Sequence, residues 1–68
     1  MQLISVASSN VSQIGYENGI LEVHFHSGHV YQYLHVPEAV FRLFLSASSK
    51  GQFVHQHLKG KFPFIRLR

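Results

Sequence analysis

Ser48-Ser49-Lys50-Gly51 sets a lysine and a glycine directly behind a serine able to cap a helix. Free backbone amides at a helix start, the positive end of the helix dipole and a lysine together suit a phosphate oxygen. Ser49, Lys50 and Gly51 therefore form a candidate phosphate or nucleotide seat, with Lys59, Lys61 and Arg66 as further phosphate contacts. A plain cap accounts for the same residues: Ser49 satisfies a backbone amide, Gly51 permits close packing and Lys50 is solvated. The glycine-rich run that precedes Lys-Ser in a Walker loop is absent.

Tyr31 and Tyr33 stand two apart in a strand-like stretch and project to one face, where flat rings could stack nucleobases. His24, expected opposite Tyr31, would extend that platform. The competing role is cross-strand packing, or burial under the C-terminal tail or a second subunit. His24, His26 and His29 could in principle hold zinc, but residues two apart on a strand lie about 6–7 Å apart. No cysteine, and no nearby carboxylate beyond Glu22, completes a tetrahedral set, so no metal or other cofactor is expected. Catalysis is not expected either. There is no cysteine nucleophile, and Glu17, Glu22 and Glu38 fall in a turn, a strand and a helix start, which pairs no two carboxylates.

These side chains must be positioned by one small core. The chain has 68 residues, a single domain over 1–68, and no cysteine to staple it. Its hydrophobic content of 46%, with six Phe and three Tyr, is enough for a packed core of large side chains. No apolar run approaches the ~20 residues of a membrane span, and the N-terminus lacks a secretory signal pattern. A cytoplasmic protein with no membrane partner is the expectation. The formal net charge is +3, and every Lys and Arg lies from Arg42 onward while all three acids precede them. A single-signed half of this kind favours an anionic partner such as nucleic acid or a nucleotide, although it also serves as an ordinary solubilising surface.

Val11 to Val36 reads as a three-stranded antiparallel meander. Asn18-Gly19 suits a two-residue type I′ turn, and Ser27-Gly28 is a second turn signal of the same length. Counting outward from these turns puts Ile14, Tyr16, Leu21, Val23, Phe25, Val30 and Leu34 on the core face. Gln13, Glu22, His24, His26, His29, Tyr31 and Tyr33 fall on the other. Pro37-Glu38 opens a helix whose Val40, Phe41, Phe44 and Leu45 form an apolar stripe ending near Ala47. Ser49 with Gln52 starts a second helix running to about Leu58, stopped by Gly60, with Phe53, Val54 and Leu58 facing inward. Residues 61–68 form an extended C-terminal tail or an edge strand. The fold class is α+β, a meander packed on one face by two short helices.

The series Ser8-Ser9-Asn10-Val11, Gly15-Tyr16-Glu17, Leu21-Glu22-Val23 with Phe25, Gly28, Tyr31 and Tyr33, Val36-Pro37, then Ser49-Lys50-Gly51 with Phe53 resembles the KTSC domain. That short module occurs at the C-terminus of some lysyl-tRNA synthetases and as single-domain bacterial and phage proteins. The likeness covers nearly the whole chain, with Glu17 where the pattern more often has Asp. It implies nucleic-acid binding. The resulting expectation is a non-enzymatic module that binds RNA through its basic half and its His/Tyr sheet face. Two alternatives stand beside it: capture of a soluble, cyclic or signalling nucleotide by a phage-type protein, and a protein-interaction module whose tail adds a strand to a partner or to itself, giving a homo-oligomer.

Overall fold

The computed structural model describes residues 1–68. Five strands, β1 (Leu3–Ser5), β2 (Val11–Glu17), β3 (Ile20–Phe25), β4 (Val30–Tyr33) and β5 (Phe64–Arg66), form one antiparallel sheet in sequential order. Helix α1 spans Glu38–Ser46, and α2 (Lys50–Phe53) continues into a π-helical turn over Val54–Leu58. The expected three strands are thus five. β5 realises the edge-strand alternative for the C-terminal tail, whereas β1, three residues long, is too short to alternate visibly; both form by pairing with the edges of the central meander.

Asn18 and Gly19 take φ of 51° and 81°, the positive angles that a type I′ hairpin requires. The register follows as expected, with Gln13 opposite His24, Ile14 opposite Val23, Tyr16 opposite Leu21 and Glu17 opposite Ile20. The second hairpin differs by one residue. Phe25 N–H donates to His29 O (2.9 Å) and Gly28 N–H to Phe25 O (2.9 Å), with Gly28 at φ 99°, so the loop is His26-Ser27-Gly28. A three-residue loop closed by a positive-φ glycine is the next most common hairpin. Val23 therefore faces Tyr31, Leu21 faces Tyr33, and His24 faces Val30. Because strand side chains alternate, that single residue moves Tyr31 and Tyr33 to the helix-covered face and sends Val30 and Leu34 to the opposite one.

The helices cover only part of their face. Ile14, Leu21 and Val23 from the sheet, with Val11, Val36, Phe44 and Leu58, are fully buried. Phe44 stacks on Phe53 with ring centroids 5.0 Å apart. Tyr16 stacks on Phe41 at 5.0 Å and donates its hydroxyl to Val36 O at 2.6 Å, tying α1 to β2. Val40 and Phe41 are half-buried against this core, whereas Leu45 is exposed, one residue beyond the stripe. Phe53, Val54 and Leu58 point inward as expected, and Gly60 (φ 78°) turns the chain back toward β5. No helix is long and apolar enough to cross a membrane.

Candidate functional site

The Ser49-Lys50-Gly51 segment is built as a joint, not an open seat. Ser49 Oγ accepts the Gln52 amide at 3.3 Å, the ordinary N-cap bond. Lys50 is only 9% exposed, and its ammonium donates to Ala47 O at 2.5 Å, at the C-terminal cap of α1. A cation there complements the negative helix end. Gly51 lies against Asn10, whose side chain occupies the space a Cβ would need. The lysine expected to be solvated and free for phosphate is instead held inside.

The histidines are separated as well. His24 is on the face away from the helices, its Nε2 2.6 Å from Glu22 Oε2, and Gln32 Nε2 donates to Glu22 Oε1 at 2.8 Å. These two bonds hold the Glu22 carboxyl below its ordinary pKa, His24 contributing most and Gln32 next, against a smaller desolvation penalty. His26 bonds to Ser8 O and His29 to Arg68 O. His24 therefore cannot extend a tyrosine platform, because it and Tyr31 lie on opposite faces of the sheet.

Tyr31 and Tyr33 line a different feature. Where the helical segment stops short of the sheet edge, Phe25, Ser27, His29, Tyr31, Tyr33, Val54, Lys59 and Phe64 enclose a groove of about 350 Å³. Tyr31 is central to it. Its ring stacks on Phe64 at 5.4 Å and 13°, and meets Phe25 edge-on at 5.7 Å. Phe64 is 55% exposed and so keeps much of its surface open. Tyr33 is 3% exposed, a floor more than a platform, and burial raises its pKa above the ordinary tyrosine value.

Lys59 lines the groove and Arg66 sits directly across the ladder from Tyr31. Lys61 lies in a separate cleft of about 520 Å³ with Val40, Leu43, Phe53, His57 and Phe62. No carboxylate lines the groove. Glu17 pairs with the N-terminal ammonium at 3.2 Å, Glu38 pairs with Arg42 at 3.2 Å, and Glu22 is on the other face. Of the expected site residues, the fold brings together Tyr31, Tyr33, Lys59 and Arg66, and leaves out His24, Lys61 and the Ser49–Gly51 joint. Phe64, Phe25 and His29 join the groove, although the sequence offers them in other roles: Phe64 in a strand-adding tail, Phe25 on the core face and His29 as a zinc candidate. Their only signals were the loose alternation of the tail and the one-residue ambiguity of the second turn.

An apolar, stacked aromatic surface with two flanking cations and no acid suits a flat ring that carries negative charge. Comparison with known proteins bears on what that surface serves. The chain is 39% identical over 67 residues to a lysine–tRNA ligase of Nostoc punctiforme, covering 96% of this chain and 12% of that protein. It thus spans about an eighth of the length of that ligase. It is 39% identical over 61 residues to an uncharacterized protein of Stutzerimonas stutzeri, covering 86% of that protein. The crystal structure of a KTSC domain protein from Yersinia pestis superposes with a TM-score of 0.93 at 42% identity, covering 98% of this chain and 97% of that one. The KTSC domain model matches residues 7–62, and the chain belongs to the KTSC domain family.

Proposed function

We propose that the protein is a non-enzymatic module that binds single-stranded RNA in the aromatic groove. The observation that carries this reading is the open Tyr31–Phe64 stack, flanked by Lys59 and Arg66 with no carboxylate in the groove. A base laid on Phe64 continues an existing stack, and base–aromatic stacking contributes roughly 1–3 kcal/mol. Lys59 and Arg66 reach backbone phosphates, with Lys61 and Arg68 adding to the surrounding field. Lysine–tRNA ligases act on a tRNA, and their similarity to this chain supports RNA as the polymer. The same reading makes the protein cytoplasmic.

A soluble nucleotide is the second reading, favoured by the groove volume of about 350 Å³, at the small end of the ~300–1,000 Å³ of ligand pockets. Fluorescence anisotropy with a labelled single-stranded oligoribonucleotide, repeated across salt, separates the two. Affinity for RNA should fall with a log–log slope of about 0.7 per phosphate neutralised, hence near ~2–3 for three or four cations. A flat salt response with tight mononucleotide binding would favour the second reading. No binding to either would end both.

A further inference from the structure

We infer that β5 is the interface with a second copy of this chain, paired antiparallel about a two-fold axis at Ile65. The first observation is what the edge leaves open. Phe64 on the groove face and Ile65 on the other are 55% and 47% exposed, with Leu67 at 49% just past the strand, and the strand is paired along one side only. Such an edge is a template for another strand unless it is blocked. Of the devices that blunt an edge, Pro63 stands just before the strand, and the three-residue strand carries a single charge, Arg66.

Backbone direction then limits how a second copy can join. Pro63 O accepts from Leu34 N–H at 2.8 Å, and Leu67 N–H donates to Val30 O at 2.7 Å. Residues 63 and 65 therefore turn their backbone groups inward to β4, and Phe64 and Arg66 turn theirs outward, as alternation in an antiparallel ladder requires; past the strand, Leu67 and Arg68 both close onto Val30. A symmetric partner strand must pair outward residues with outward residues, which leaves three registers. Arg66 opposite Arg66 sets like charges face to face, which destabilises a strand pair. Phe64 opposite Phe64 carries Arg66 across to Phe62, beyond the strand. In the third register Phe64 faces Arg66 of the second copy twice over, Ile65 faces Ile65, and Pro63 faces Leu67. Each guanidinium then meets an aromatic ring instead of another cation. Only this register uses every outward group of β5 and opposes no like charges.

The result is a ten-stranded sheet with both aromatic grooves on the same side, since a two-fold axis normal to a sheet preserves its faces. The second copy's Arg66 stands beside Phe64, so each groove gains a cation that one chain does not supply. That last step rests on the RNA reading of the groove; the pairing itself does not. A single strand contact falls below the ~800 Å² per partner of a standard interface, so the dimer is concentration-dependent.

Sedimentation equilibrium over the micromolar to millimolar range tests the pairing. The mass should rise from 7.8 kDa toward twice that value. Ile65→Lys, which sets two cations face to face at the axis, should hold it at 7.8 kDa with the melting temperature of dilute wild type. Exchange of the Phe64 and Arg66 amides should slow as wild-type concentration rises. A monomer at every concentration, growth beyond a dimer, or a dimer that survives Ile65→Lys would overturn the proposal. Binding to single-stranded oligouridine distinguishes the two claims. Ile65→Lys adds positive charge, yet it should bind severalfold more weakly through loss of the shared groove. If the dimer forms as stated and Ile65→Lys binds as well as wild type, the shared groove is refuted and the pairing stands. If neither protein binds RNA, the RNA reading and the shared groove fail together, and the pairing is judged on mass and exchange.

Discussion

Tyr31 and Phe64, 33 residues apart in sequence, stack with ring centroids 5.4 Å apart on neighbouring strands at the sheet edge. The contact joins the YQY strand β4 to the cationic C-terminal segment and forms the open wall of the groove. Phe64→Ala removes that wall while touching little of the core, because Phe64 is more than half exposed. RNA affinity should fall by about 1–3 kcal/mol, with the melting temperature nearly unchanged. Anisotropy and thermal melting on the same preparation check both halves.

Lys50 and Lys59, equal in charge, should separate in effect. Lys50→Met keeps the buried stem but leaves Ala47 O without its charged donor, at a cost of about 1.5–3 kcal/mol of stability. Below the midpoint of unfolding it should bind RNA like wild type. Lys59→Met should do the reverse, since Lys59 is exposed and lines the groove. Urea titration beside RNA binding reads out the contrast, and equal loss of binding in both variants would restore the Ser49–Gly51 segment as a ligand seat.

Phe44 is fully buried between the sheet and Phe53. Phe44→Ala should destabilise the domain by about 3–5 kcal/mol, a large share of the ~5–15 kcal/mol that holds a domain together. The variant should be largely unfolded at 37 °C by circular dichroism.

Glu22 supplies the pH dependence. His24 and Gln32 lower its pKa in the folded state, so the folded protein releases this proton at lower pH than the unfolded chain does. The stabilisation is fully present above the ordinary glutamate value near ~4.3 and is lost as pH falls through the lowered native value. Glu22→Gln should therefore show a shallower decline of stability in acid than wild type. Urea midpoints measured from pH 6 down to pH 3 check it, and parallel curves would contradict it.

Much of this architecture is legible in the sequence. Asn18-Gly19 sets the β2–β3 register from Glu17 to Gln13, because a two-residue type I′ loop admits only one pairing, and only the bulge at Ser12 that brings Val11 opposite Phe25 lies beyond its reach. Pro37, Ser49 and Gly60 marked the helical ends for equally local reasons. The site was less legible, and the cause is one residue at Ser27-Gly28. A glycine after His26-Ser27 serves a two-residue or a three-residue loop, and only the packing of Tyr33 beside Leu21 decides between them. That choice reverses the faces of Tyr31 and Tyr33, and with them the apparent binding surface. Lys50 misled for a related reason: a lysine behind a capping serine has the same local pattern whether it meets solvent or folds back onto the preceding helix.

The central claim is that ligand enters on the helix side of the sheet, between the π-helical turn and β5, and it is tested most directly by amide and side-chain NMR shifts during titration with single-stranded RNA. The account predicts perturbations at His29, Tyr31, Lys59 and Phe64, with Glu22 and His24 on the opposite face unmoved. Shifts concentrated on Glu22, His24 and Gln32, or on Ser49 and Lys50, would contradict it.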